Sequence, residues 1–269
     1  MLYLLIEYCY IEALNHKSIL MKKYLFSLLL LVSLSLSAQR IAFDLAFINA
    51  ENPGLYDSHL KTYFQPVNQR LIDDGRVLGW HVWKVVDTAQ ADYTHLAVTV
   101  YDMDKMDDEY DWSWVSWTKR LPNLTEAHAR EIAKMINENR KIVFQTQMVN
   151  VAEVLQPGVT TYPDIAVLNF MKVKDGKSKS YENMEKAFTK SIAKGSPRKG
   201  WSLAKRVENF GTDIAWTHFT VDWYDKYSDY LKVGAGPSSD AGSAYKGITK
   251  LRDLRYRVAF NKFIFLNAE

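Results

Sequence analysis

The chain repeats itself, and that limits its possible folds more than any other feature. Gly79-Trp80-His81-Val82-Trp83-Lys84-Val85-Val86 matches Gly200-Trp201-Ser202-Leu203-Ala204-Lys205-Arg206-Val207. Both read Gly-Trp, any residue, aliphatic, any residue, Lys, any residue, Val. Downstream, Tyr93-Thr94-His95-Leu96-Ala97-Val98-Thr99-Val100-Tyr101-Asp102 matches Trp216-Thr217-His218-Phe219-Thr220-Val221-Asp222-Trp223-Tyr224-Asp225. Two blocks in the same order at nearly the same spacing mark a duplicated structural unit. The fold must therefore be one that two equivalent halves can build together.

Periodicity supplies the rest of the unit. Ile41 to Ile48 and Asp164 to Val173 are apolar runs of strand length, one opening each copy. A helix follows each. Leu60, Phe64, Val67 and Leu71 share a face of the stretch from Leu55 to Asp73, which ends at Gly75. Tyr181, Met184, Phe188 and Ile192 do the same before Gly195 and Pro197. The Gly-Trp and Thr-His blocks are rich in Val, Trp, Tyr and Thr and read as two strands joined by a short polar turn. Thr125 is placed to cap a second helix from Glu126 to Asn139, with a weaker counterpart between Ala244 and Lys250. Alternating runs, Arg140 to Val151 and Arg252 to Leu266, close the copies.

The order is β-α-β-β-α-β twice, an α+β chain of two ferredoxin-like repeats spanning residues 39–157 and 158–269. Such a unit covers one sheet face with helices and leaves the other apolar face in need of a partner, so the two copies should pack sheet to sheet. This organisation resembles the dimeric α/β-barrel superfamily in its fused, tandem-duplicated form. That group includes heme-degrading and antibiotic-biosynthesis monooxygenases and chlorite-dismutase-like heme proteins. The resemblance implies a cavity between the sheets, holding a small molecule or, alternatively, serving an oxygenase-like or heme-binding enzyme that uses a cavity histidine. No subfamily motif is matched residue by residue.

Residues 1–38 stand apart. Met21-Lys22-Lys23 is a short basic start, Tyr24 to Leu36 is apolar, and Ser35-Leu36-Ser37-Ala38-Gln39 offers small residues for cleavage. These are the three regions of a secretory signal, and the apolar run is short for a membrane span. Initiation at Met21 and export to the periplasm or beyond are expected, with no membrane association after cleavage. The single cysteine, Cys9, precedes the leader, so the exported part carries no disulfide and no thiolate metal site. Net charge is +3, too balanced for a broad basic face that would bind nucleic acid. Eight Trp and sixteen Tyr are more than packing alone commonly asks for, and aromatics also line ligand cavities.

Alternation along the Thr-His strand sorts its residues onto two faces. Leu96, Val98 and Val100, with Phe219, Val221 and Trp223, look like packing under the helices. Tyr93, His95, Thr99 and Tyr101, with Trp216, His218, Thr220, Asp222 and Tyr224, form the more polar face expected to wall the cavity. There His95 and His218 would serve as an axial heme ligand, a general base or a hydrogen-bonding group, or as structural imidazoles. Their presence in both copies favours the structural role. Asp222 and His218 are roughly 13 Å apart along their strand, too far for a dyad.

Differences between the copies mark where an asymmetric site would arise. His81 and Trp83 correspond to Ser202 and Ala204, and Arg206 adds a cation able to receive a carboxylate or to pair with an acidic neighbour. After Asp102 comes an insertion in which Asp104, Asp107, Asp108, Glu109 and Asp111 run into Tyr110, Trp112, Trp114 and Trp117. It lacks the glycine and closing glutamate of a calcium loop. It should pack as a local aromatic cluster, or else lid the barrel mouth or stack on sugars or another planar ligand. No nucleophile elbow, zinc-protease motif, phosphate loop or dinucleotide fingerprint is present.

Overall fold

The structure, a computed structural model, describes residues 40–86, 91–120, 123–188, 192–208, 214–233 and 247–269. The expected leader and the segment from Ala244 to Lys246 lie outside them. The elements are β1 (Ile41–Ala50), α1 (Pro53–His59, continuing through a π turn at Leu60–Phe64 into Gln65–Asp73), β2 (Gly79–Val85), β3 (His95–Asp102), α2 (Trp117–Arg120), α3 (Glu126–Glu138) and β4 (Arg140–Leu155). The second copy follows with β5 (Ile165–Val173), α4 (Ser178–Phe188), β6 (Arg198–Arg206), β7 (His218–Tyr224), α5 (Tyr227–Val233) and β8 (Arg252–Asn267). Local chemistry sets the ends: Asn52 Oδ1 caps α1 at Leu55 N–H, Thr125 Oγ1 caps α3 at His128 N–H, and Gly75 takes a φ of 69° after α1. In the second copy, the place expected to hold the counterpart of α3 shows a 3-10 turn at Ile248–Lys250. The short helix α5 carried no sequence signal. Among the described residues no helix is long and apolar enough to cross a membrane.

All eight strands form one closed antiparallel barrel in the order β1-β3-β2-β8-β5-β7-β6-β4. Within a repeat the pairing is ferredoxin-like. Between repeats each copy lends its last strand to the other: β4 pairs with β6, with Glu153 opposite Ser202, and β8 pairs with β2, with Gly79 opposite Asn267. Closure leaves no edge strand exposed. Pairing also fixes equivalence, because Ala46 lies between Ala97 and Gln145 as Asn169 lies between Thr220 and Arg257.

The repeated signatures explain how the helices attach. Trp80 and Trp201 point outward and are buried beneath α1 and α4, beside Tyr56 and Tyr181 respectively. His95 and His218 also point outward and are fully buried. His95 Nε2 lies 2.9 Å from Asp57 of α1, Nδ1 lies 2.8 Å from Thr94 Oγ1, and Lys84 reaches the other Asp57 oxygen at 2.6 Å. The second copy repeats this with Glu182 of α4 (3.4 Å from His218 Nε2), Thr217 (2.9 Å from Nδ1) and Lys205 (3.3 Å from Glu182). Tyr56 and Tyr181 set their rings edge-on to these imidazoles at 5.0 and 5.3 Å. Since a carboxylate only accepts, Nε2–H donates to it and Nδ1 accepts the threonine hydroxyl. That hydroxyl oxygen in turn accepts the backbone N–H of Ala50 or Val173 at 3.0 Å. Each copy thus has a buried polar clasp tying helix to sheet.

Glycine at the head of each Gly-Trp motif follows from crowding. A Cβ on Gly79 would lie 2.9 Å from the Leu266 carbonyl oxygen and from Asn267 Oδ1, and one on Gly200 would lie 2.9 Å from the Trp223 ring. Gly79→Ala forces a backbone shift at the β2–β8 seam, and a loss of about 1–3 kcal/mol in a urea unfolding series is expected.

Burial holds both clasp imidazoles below the ordinary histidine pKa, only partly offset by the carboxylate each one faces. The unfolded chain therefore takes up protons first, so this stability is complete above about pH 6.5 and is lost as pH falls below it. Denaturation midpoints should drop between pH 7 and 5. In His95→Gln/His218→Gln the slope should become shallower, and an unchanged slope would show that other groups govern the acid response.

Candidate functional site

Inside the barrel, side chains fill one end and leave space at the other. Toward the Thr-His end, Phe47, Tyr93, Phe144, Phe170, Trp216, Tyr256 and Phe260 close the interior in edge-on and stacked contacts, such as Phe170 on Tyr256 at 4.4 Å and on Trp216 at 5.0 Å. Arg206 seals this plug: its guanidinium lies 5.1 Å from the Phe144 and Trp216 ring centres and donates to Thr146 Oγ1 and the Trp216 carbonyl. Burial pulls its pKa down.

Toward the Gly-Trp end lies a cavity in which the centre of a water molecule can range over about 90 Å³. One water needs roughly 10–15 Å³ on that measure, so the space suits several waters or one compact organic group. Apolar and aromatic side chains dominate its wall: Phe43, Leu45, Trp83, Leu96, Val98, Ala166, Leu168, Ala204, Phe219, Val221, Trp223 and Phe265, with His81 and Ser202. Equivalent positions differ in size. Phe43, His81 and Trp83 of the first repeat correspond to Ala166, Ser202 and Ala204 of the second, so the space lies where the second repeat is small.

Polar groups gather at the mouth. Glu153 accepts the Tyr162 hydroxyl at 2.7–2.8 Å and the Ser202 hydroxyl at 3.2 Å, while Ser202 accepts the Trp223 indole N–H at 2.9 Å. Asn150 lines the same side. Tyr162, from the connection between the repeats, rests on Trp223 and Phe265 at 4.9 and 5.6 Å, and burial raises its pKa. Lys262 donates to the Tyr162 carbonyl and pairs with Asp164 at 3.1 Å. His81 stacks on Phe265 at 3.7 Å and its Nε2 lies 2.8 Å from Asn267 Oδ1. Burial drives the His81 pKa down to about 4, against the bond to Asn267 and with help from nearby Lys262, so the ring is neutral at pH 7.

Several sequence expectations are corrected by this geometry. The polar face of the Thr-His strands is the outer one: His95 and His218 sit in the clasps, Tyr101 packs with the cluster under α1, and Tyr224 packs tilted against Tyr230. Asp222, also outside, binds Arg198 at 2.8 Å and Asn169 at 2.9 Å. Leu96, Val98, Phe219, Val221 and Trp223 face the cavity instead. A barrel interior is enclosed on every side, whereas the outer face meets helices whose carboxylates, Asp57 and Glu182, join strand lysines Lys84 and Lys205 in satisfying buried polar groups. Trp216 does face inward, but with Arg206 it belongs to the plug rather than the cavity. His81 and Trp83 line the cavity, opposite the expected small residues.

Heme does not fit these residues. Both ring nitrogens of His95 and of His218 are engaged, His81 Nε2 is bonded to Asn267 with its ring against Phe265, and the space is far smaller than a porphyrin. Among the described residues no group of three or more His, Cys, Asp or Glu is arranged to hold a metal ion. The tryptophan insertion packs against α1. Arg76 donates to the carbonyls of Lys105, Met106 and Asp108, Tyr110 donates to Asp74, and Arg70 lies 4.0 Å above Trp114. Glu153, Tyr162 and Asn150 at the mouth, and Tyr56, Asp57 and Glu182 in the clasps, were not singled out by the sequence, and Tyr181 was read only as part of a helix face. A matched Tyr-acid pair on the two helices was the available signal for the last four.

No protein-family model matches the sequence, and no curated protein is similar to it by sequence. Solved structures are similar in fold. One, from Fusobacterium nucleatum subsp. nucleatum and described as a "putative monooxygenase", aligns over 86% of this chain and 96% of its own with a TM-score of 0.53 at 14% identity. Another of the same description, from Lactobacillus acidophilus, covers 85% and 96% with a TM-score of 0.51 at 10% identity. An anthrone oxidase-like protein covers 86% and 94% with a TM-score of 0.52 at 11% identity. Identities this low speak for the fold alone. With its two ferredoxin-like repeats closed into a single eight-stranded barrel, the chain has the dimeric α/β-barrel fold in tandem form.

Proposed function

We propose that this protein binds a small, predominantly apolar molecule inside the barrel, admitted past Tyr162 and Glu153. One observation carries the reading: the interior is packed at one end, while Ala166, Ser202 and Ala204 leave an aromatic-walled space at the other. Barrels of eight strands are just wide enough for side chains to fill them, so space retained beside such small residues is a ligand-sized feature. Phenol and toluene are suitable probes. Saturating binding should raise the unfolding free energy by about 2.7 kcal/mol at a hundred times Kd. Ala204→Trp should fill the space and abolish that stabilisation while the protein stays folded, whereas a folded Ala204→Trp protein that is still stabilised would place the probe elsewhere.

A second reading, oxidation of the bound molecule, is favoured by His81, a neutral imidazole in the cavity wall. Oxygen uptake with phenol bound, lost in His81→Ala, would support it. No uptake with phenol bound would count against it. The leader from Met21 to Ala38 supports an exported protein, and the mass of the mature chain should correspond to a start near Gln39.

A further inference from the structure

The cavity mouth combines two features. Trp83, Trp223, Tyr162 and Phe265 form a continuous aromatic cluster, with Trp83 5.6 Å from Trp223 and 5.8 Å from Phe265, and Tyr162 4.9 Å from Trp223 and 5.6 Å from Phe265. Beside them stands the Glu153 carboxylate, at the position whose equivalent in the other repeat is Phe265. An apolar ring would serve packing there as it does in the other half. The carboxylate instead has two hydroxyl donors, Tyr162 and Ser202, which hold its orientation without cancelling its charge. Among the described residues no cationic side chain pairs with it. Lys262, which donates to the Tyr162 carbonyl, is matched by Asp164.

Resting on the binding reading above, we infer that the cavity selects an organic cation, a compact alkylammonium group resting against this aromatic wall with Glu153 as counter-ion. Aromatic faces carry negative quadrupole density and attract cations, most strongly where water is displaced. Tyr162 donates its hydroxyl proton toward a carboxylate, which enriches its ring, and Trp223 donates its N–H to Ser202, which fixes its indole in the wall. Lys262 already places its ammonium 5.1 Å from the Phe265 ring centre, so this cluster accepts cations at its rim. Neutral His81 adds no opposing charge inside.

Choline and 3,3-dimethylbutan-1-ol share a shape and differ in having nitrogen or carbon at the branched centre, so calorimetric titration of the pair isolates the charge. Choline should bind at least about tenfold more tightly than the alcohol. Glu153→Gln should weaken choline by about tenfold or more and the alcohol by much less, so that the preference between the two compounds is lost. Equal affinity for the two compounds would overturn the cation inference and leave the binding reading standing. So would binding of phenol or toluene without choline. If none of these compounds bound, the binding reading itself would fall.

Discussion

A ferredoxin-like repeat on its own ends in an unpaired strand edge and an uncovered apolar face. In this chain both problems are solved by the same exchange, β4 onto β6 and β8 onto β2. Every other feature depends on that closure. It makes the inner faces of both sheets one enclosed interior, and it leaves the outer faces to the helices. Each helix must then be held onto a surface that includes buried polar groups, which is the work of the His-carboxylate-Lys clasps. Removing the carboxylate of one strips the buried imidazole Nε2–H of its partner, a cost of about 1–3 kcal/mol when left unsatisfied.

Much of this was legible in the sequence, because repetition exposes what both halves need. Gly-Trp and Thr-His appear twice since each copy must bring a strand close at the seam, bury an indole under a helix and build a clasp. What alternation could not say was which face is inside. Polar residues suggested a cavity wall, yet buried polarity is affordable wherever partners exist, and the helices supply Asp57 and Glu182. The carboxylate at the cavity mouth was hidden for a different reason. Simple alternation from Asn150 would direct Glu153 outward. A register shift between Asn150 and Ala152 switches the inward-facing set and turns Glu153 in. Sequence patterns of period two carry no mark of such a bulge.

Duplication also explains where a site can form. Two identical halves would fill or empty the interior equally around their symmetry axis. Fusing the halves into one chain frees equivalent positions to diverge, and they have: Phe43 against Ala166, His81 against Ser202, Trp83 against Ala204, and Phe265 against Glu153. The first repeat and its lent neighbour β8 provide bulk, with His81 stacked on Phe265 as a rigid wall. The second repeat and β4 provide room and charge. Shared residues keep the barrel closed and clad, so the unshared ones can hollow it without loss of the fold. A group bound in that hollow would touch both repeats at once, with Trp83 and Phe265 on one side and Trp223, Tyr162 and the Glu153 carboxylate on the other. Recognition would then be a property of the joined chain that neither half possesses alone.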